Sequence, residues 1–235
     1  MEDISFGCHD IVKYEHTMEV YNGVGGFNML NEKGFNEWSG NYDDSILNCK
    51  GYPFEGYYQL FGTIEKIVQS KTHMKVLDLG IGTGTLSLQL QKNGADITGV
   101  DFSERMLEVS REKLGDVKLY HQDLTEGLPV ELYGQSFDFI VSTYAFHHIP
   151  TVLKKMYIKH LVSFLKPGGQ LIIGDIAFRT RVDYCFCEKE NTGHWDKDEA
   201  EYYFVYEEFK AYLENYFTVE YTQFSSCGGL LIIRQ

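Results

Sequence analysis

"KVLDLGIGTGTL" (Lys75–Leu86) sets Gly80, Gly82 and Gly84 at alternate positions behind an apolar run. Such a run closed by glycine reads as a buried strand, and "TLSLQLQKNG" after it as a helix stopped by Asn93-Gly94. Glycines at a strand-to-helix turn let the backbone come close to a ligand. A triphosphate-binding loop needs Lys and then Ser or Thr after its last glycine, but Thr85-Leu86 stand there. A dinucleotide fingerprint needs its third glycine three residues after the second, and that position is Thr85.

Working outward, "DITGVD" reads as a second strand and "SERMLEVSREKLG" as a helix with Ser103 at its N-cap. "VKLYHQD", "SFDFIVSTYAF" and "QLIIGDIAF" read as strands three to five, with "TVLKKMYIKHLVSFLKPGG" a helix stopped at Pro-Gly-Gly. Strands alternating with helices imply right-handed crossovers and a parallel sheet. "YEEFKAYLENYF" is a further helix, and "TVEYTQF" and "GGLLIIRQ" lie close enough to form a hairpin. The expected fold is α/β, a Rossmann-like doubly wound sheet of seven strands, mostly parallel, with an antiparallel C-terminal hairpin. Upstream, Phe35, Trp38, Tyr42 and Ile46 share one helical stripe, and "YYQLFGTIEKIVQS" follows as an amphipathic helix. Residues 1–70 are expected to form an arm and an aromatic helical cap, and 71–235 a core with a cap insert at about 178–203.

The turn reads Asp78-x-Gly80-x-Gly82-x-Gly84. It closely resembles the first motif of the class I S-adenosylmethionine (SAM) methyltransferases. A pyrophosphate wants a helix N-terminus free of negative charge. A ligand with a sulfonium and an α-amino group favours a carboxylate there. Asp101 follows Asp78 by 23 residues (101 − 78) at the end of "ITGVD", where an acid accepts from ribose hydroxyls. Asp123 follows in "HQDL"; in the methyltransferase class that acid accepts from the adenine amino group. Three acids ending successive strands face one edge of the sheet, where such folds bind ligands. "FDFIVSTYAFHHI" with "LKPGGQLIIGDIAF" looks like the small bacterial methyltransferases of the YrrT type. The resemblance implies SAM contacts at Gly80, Asp101 and Asp123, within a motif neighbourhood of Asp78, Ile81, Gly82, Gly84, Phe102, Met106, Leu124 and Ser142. It also implies an aromatic flap over the methionine end, from Trp38 and Tyr42 with Tyr57 or Tyr58. Residues 1–34 and "RVDYCFCEKENTGHW" fall outside the family pattern.

His147, His148 and Tyr144 follow the fourth strand, near where the methyl group should emerge. An imidazole with a pKa of about 6.5 can take a proton from an attacking oxygen or nitrogen. Structural roles compete for all three. His160 lies on an apolar stripe and reads as a buried, satisfied histidine. Cys185 and Cys187 with His194 fall short of the four ligands of a structural zinc site, so free thiols are expected. The reaction implied is an in-line displacement at an activated carbon, which needs alignment and exclusion of water but no metal. The acceptor expected is a small molecule. A non-catalytic SAM- or S-adenosylhomocysteine (SAH)-binding protein and a nicotinamide oxidoreductase are the alternatives.

A net charge of -13 over 235 residues disfavours a surface that tracks nucleic-acid phosphates. No apolar run is long enough to span a bilayer and the beginning "MEDISFGCHD" lacks a signal pattern, so a cytoplasmic monomer or homodimer is expected. The five cysteines, scattered and odd in number, fit a reducing compartment.

Overall fold

The computed structural model describes Asp43, Ile46, residues 51–69, 73–192, Trp195 and residues 201–235. Trp38, Tyr42, His194, Cys8, Cys49 and the expected N-terminal arm lie outside the described residues. Of the upstream stripe, Ile46 is described, and it is helical and buried.

The described elements, in chain order, are α1 (Tyr57–Val68), β1 (Lys75–Leu79), α2 (Thr85–Lys92), β2 (Asp96–Asp101), α3 (Glu104–Leu114), β3 (Lys118–His121), β4 (Phe137–Thr143), α4 (Thr151–Val162), β5 (Leu165–Phe178), α5 (Arg181–Glu190), β6 (Phe204–Val205), α6 (Tyr206–Tyr216), β7 (Thr218–Gln223) and β8 (Gly228–Arg234). The sheet runs β3-β2-β1-β4-β5-β8-β7, with two-residue β6 pairing beside β5. Strands β1 to β5 are parallel, whereas β8 pairs antiparallel with both β5 and β7. The seven-strand path and the terminal hairpin are those expected from the alternation.

Side-chain parity divides the core into two layers. Val76, Ile97, Phe139, Val141, Ile172 and Ile232 pack under α1, α2 and α3 through Leu60, Ile64, Leu86, Leu90, Leu107 and Leu114. Leu77, Leu79, Val100, Ile140, Leu171, Ile173 and Ile233 pack on the opposite face, against Leu153, Tyr157, Leu161, Phe209 and Leu213 of α4 and α6. Both sheet faces are therefore covered, which is why β1 and β4 read as apolar runs rather than as alternating patterns. Each buried aliphatic side chain contributes on the order of 1.5–3 kcal/mol. The apolar stripe of α1 thus suffices to hold it on the sheet. At the crossing with β5, a Cβ on Gly174 would come within 2.7 Å of Leu60 Cδ2, so glycine there permits the close approach.

Local signals place most boundaries. Ser103 caps α3 by accepting from Met106 N (3.1 Å), and Gly115 ends it. Helix α4 stops at Val162, with Ser163 as its cap, and Lys166-Pro167-Gly168-Gly169 belong to β5. The expected helix through Pro-Gly-Gly is thus too long. Proline cannot donate to a helix, and its ring disfavours a helical residue before it. The polar stretch after Phe178 contains α5, fastened by a reciprocal cap between Thr180 and Asp183. His160 is half-buried, its ring against Phe164 (5.1 Å) and Tyr133 (6.0 Å), and burial lowers its pKa. The fully buried polar residue of α4 is Lys154.

Candidate active site

The glycine turn carries the chain from β1 into α2 at the C-terminal edge of the parallel strands. Gly80, Gly82 and Gly84 have φ of 73°, 54° and 77°, the left-handed region where a side chain is strained. Val100 O receives the backbone N–H of Gly80 (2.8 Å) and of Ile81 (3.0 Å), which ties the turn to β2. Added methyl groups would meet different surroundings. At Gly80 a Cβ would lie 2.3 Å from Ala145 Cβ, and at Gly84 2.7 Å from Ser110 Oγ. At Gly82 it would meet nothing within 4 Å among the described residues. The middle glycine therefore presents bare backbone with no described side chain over it.

Two carboxylates adjoin this turn, and a third follows β3. Asp78 is buried inside β1, its Oδ2 accepting from Ser87 Oγ (2.6 Å). Its Oδ1 has no hydrogen-bond partner among the described residues. Burial pushes its pKa up to about 7, against the Ser87 bond and with help from the Asp101 charge. Asp101, also buried, accepts from Gly82 N (2.8 Å) and Ser103 N (2.9 Å). Burial raises it to about 6, and those backbone donors hold it from rising further. Asp123 is partly exposed and turned onto Thr125, accepting from its N (2.8 Å) and Oγ1 (2.7 Å) with one oxygen. Phe102 and Leu124, beside the last two acids, are partly exposed. Ile81 and Met106 are buried, and Ser142 Oγ donates to Leu79 O (2.9 Å).

Asp43 was not singled out from the sequence. It accepts from Thr83 Oγ1 (2.8 Å) and Thr85 Oγ1 (3.0 Å) and pairs with Lys113. The stretch before α1 is thereby anchored to the far side of the glycine turn. Burial raises its carboxyl pKa less than Lys113 and the two hydroxyls lower it.

The turn after β4 gathers the histidines. Tyr144 has φ 50°, uncommon for a bulky residue, and its buried ring packs against Tyr57 (5.2 Å) and Phe54 (5.3 Å). Tyr58, the other flap candidate, is exposed. His147 is fixed twice by Asp175 of β5, through its N–H (2.8 Å to Oδ2) and its ring Nδ1 (2.6 Å to Oδ1). Glu201 Oε2 lies 3.4 Å from His147 Nε2, and Glu201 Oε1 3.8 Å from His148 Nδ1. Tyr202 N donates to His147 O (2.8 Å), which pins the segment carrying Glu201 to this turn. Burial opposes the His147 imidazolium, but Asp175 and Glu201 outweigh it and hold the pKa above the ordinary value. His148 is held well below it by burial, His147 and Lys154. Burial brings Lys154 down to about 7 against the pull of Asp175 and Glu201, and its Nζ donates to Phe146 O (2.6 Å).

Around this turn stands an aromatic wall. Trp195 stacks on Tyr52 (5.1 Å) and meets Tyr184 and Tyr203 edge-on (5.3 Å each), while Tyr203 shares a hydroxyl bond with Tyr52 (2.5 Å). Cys185 is exposed, Cys187 and Cys227 are buried, and all three are free thiols. Asp175 and Lys154 went unread in the sequence, while Glu201 ends the acidic run "DKDEAE", which reads as a solvated face; its side chain is instead 12% exposed and turned to the histidines. Asp175 and Lys154 could have been flagged as charges inside apolar patterns.

Residues 76–169 match the profile of a methyltransferase domain family. An uncharacterized methyltransferase of Geobacillus sp. (strain WCH70) is 36% identical over 200 residues, which cover 80% of this chain and 90% of that one. One from Oceanobacillus iheyensis is 33% identical over 151 residues, 63% of this chain and 67% of that one. Among solved structures, magnesium protoporphyrin IX methyltransferase from Synechocystis with bound SAH aligns at TM-score 0.65 and 22% identity, covering 87% of this chain and 98% of that one. A DhpI–SAM–HEP complex aligns at TM-score 0.65 and 16% identity, covering 90% and 100%. At these identities the solved structures share the fold. The relatives by sequence are methyltransferases, which sets aside the nicotinamide oxidoreductase alternative. Among the described residues, no helix is long and apolar enough to cross a membrane.

Proposed function

This chain belongs to the S-adenosylmethionine-dependent methyltransferases, and we propose that it methylates a small molecule enclosed between the turn after β4 and the aromatic wall. The carrying observation is that wall: Tyr52, Trp195 and Tyr203, with Phe54 and Tyr57, crowd the residues that follow β4. Together with the acidic net charge it supports an enclosed acceptor rather than a nucleic acid.

The residues at the strand ends fit the donor. Asp78 offers a buried, unpartnered carboxylate oxygen, which is costly unless a cationic donor reaches it. Gly82 offers open backbone. In this reading Asp101 receives the ribose hydroxyls, Asp123 with Phe102 and Leu124 holds the adenine, and Asp78 faces the amino end of the methionine. SAM supplies a methyl group on a cationic sulfur. The protein aligns the acceptor in line with it and keeps water out. Of the two histidines, His147 is a fixed wall. His148, 22% exposed at its side chain and held neutral, lines the acceptor space beside it.

Two measurements test the reading. With SAM labelled on its methyl group and a cell extract, the label is expected in the low-mass fraction. Label in protein or RNA would replace the acceptor class. Separately, Asp101→Asn keeps a carbonyl acceptor for the backbone but removes the charge. SAH binding by calorimetry is expected to weaken at least tenfold, in line with about 1.5–3 kcal/mol per charged hydrogen bond. Unchanged affinity would remove the ribose assignment.

A further inference from the structure

We propose that His147, His148 and Glu201 form a binding site for one first-row divalent cation, Zn²⁺ foremost, with Asp175 orienting His147. The ligand atoms of these three residues lie within 4.8 Å of one another. Two ligands about 2.1 Å from one tetrahedral ion stand about 3.4 Å apart. The observed Nε2–Oε2 separation at His147 and Glu201 is 3.4 Å, and the His148–Glu201 separation is 3.8 Å. Charge-assisted hydrogen bonds close to about 2.7–2.9 Å. Glu201 thus lies between the two imidazoles, turning Oε2 toward one and Oε1 toward the other without closing to a charge-assisted bond with either.

The surroundings supply what a ligating histidine needs. Asp175 Oδ1 at 2.6 Å from His147 Nδ1 engages that nitrogen and leaves Nε2 to face Glu201. This carboxylate–histidine arrangement fixes ring and tautomer in metal sites. The bond from Asp175 to the His147 N–H locks the backbone as well. Two carboxylates, Asp175 and Glu201, favour a divalent charge here. Lys154 opposes it, but its ammonium is directed to the Phe146 carbonyl. Two imidazoles and one carboxylate match the borderline-soft donors that zinc accepts. Three ligands from the described residues leave a fourth position for water or substrate, the pattern of zinc sites that carry out chemistry. The described thiols, Cys185, Cys187 and Cys227, are not part of the cluster.

The experiment counts metal on the full chain. Protein stripped with a chelator and dialysed against Zn²⁺ is expected to retain one ion per chain by mass spectrometry. Competition with a chromophoric chelator is expected to give a submicromolar Kd. His148→Ala and Glu201→Gln, at the less buried ligands, should each weaken Zn²⁺ at least tenfold, and Asp175→Asn by about 10–100-fold. Co²⁺-loaded wild-type protein should show no thiolate-to-metal charge-transfer band, which guards against a variant that fails to fold. No stoichiometric zinc, zinc that both ligand variants keep, or a thiolate band would each overturn the site. SAH binding, measured in parallel on the zinc-free chain, reports on the methyltransferase reading alone.

Discussion

Gly82→Ala is expected to abolish measurable SAH binding, a loss of at least about a hundredfold, while lowering the unfolding midpoint by only a few degrees. The added methyl meets no atom of the described residues within 4 Å, so its structural cost there is the left-handed strain at φ 54°, about 1–2 kcal/mol. The space it enters is the space assigned to the donor. Gly80→Ala should behave oppositely. Its methyl would lie 2.3 Å from Ala145 Cβ, which is anchored to backbone and cannot swing away. Strain plus overpacking comes to about 3 kcal/mol. At about 2–4 °C per kcal/mol for a chain of this size, the midpoint should drop by roughly 10 °C. Gly80→Ala with Ala145→Gly should recover the overpacking part and not the strain. Thermal unfolding and calorimetry on the four proteins decide the matter; Gly82→Ala that binds SAH normally would place the donor elsewhere.

Asp78→Asn should stabilise the ligand-free protein above pH 7 and weaken SAH binding at least tenfold. The carboxyl is held at about 7 when folded, against about 3.9 for an ordinary aspartate. The native state thus keeps this proton more tightly than the unfolded chain does. By linkage, stability falls as pH rises from about 4 to about 7, and the full cost of the buried charge is present above that. Asparagine removes this slope and still accepts from Ser87. Its NH₂ inherits the unpartnered side, which offsets part of the gain, so a rise of a few degrees is expected at pH 8. Ligand affinity runs the other way, because a cationic amino group recruits the ionised form. In the wild type it should tighten as pH rises through about 7. Asp101, held at about 6, adds a lower step to the same curve. In Asp78→Asn the upper step should vanish. An upper step that persists, or affinity that does not change, would free Asp78 of any ligand role.

Much of this could be read from the chain. Strand ends at Asp78, Asp101 and the turn before Asp123, the Ser103 cap and the terminal hairpin all follow from local periodicity and punctuation, and the structure repeats them. The failures differ in cause. Glu201 meets His147 across 54 residues (201 − 147), and no local pattern encodes that meeting. Lys154 was passed over beside Lys155, although its spacing puts it on the buried stripe with Tyr157, Ile158 and Leu161. Helix α5 was missed because Val182, Tyr184 and Phe186 alternate instead of marking a helical stripe, and its cap reads like any loop threonine. Asp43 was passed over as one of two adjacent acids, and its partners Thr83, Thr85 and Lys113 lie on other elements.

The sheet order carries a consequence for how the molecule assembles. Within the described sheet β7 touches β8 alone, and β8 is the strand that joins β5. β7, though synthesised first, therefore gains its strand neighbour only once β8 has been made, and until then it has the α6 side to pack on, where Tyr221 stacks on Tyr206 (4.9 Å). Gln223 is placed to latch the hairpin: its amide donates to Ala177 O (2.8 Å) on β5 and to Ser225 O and Gly228 O (3.1 Å each) across the turn. One side chain thus joins the bend of the hairpin to the edge that receives it.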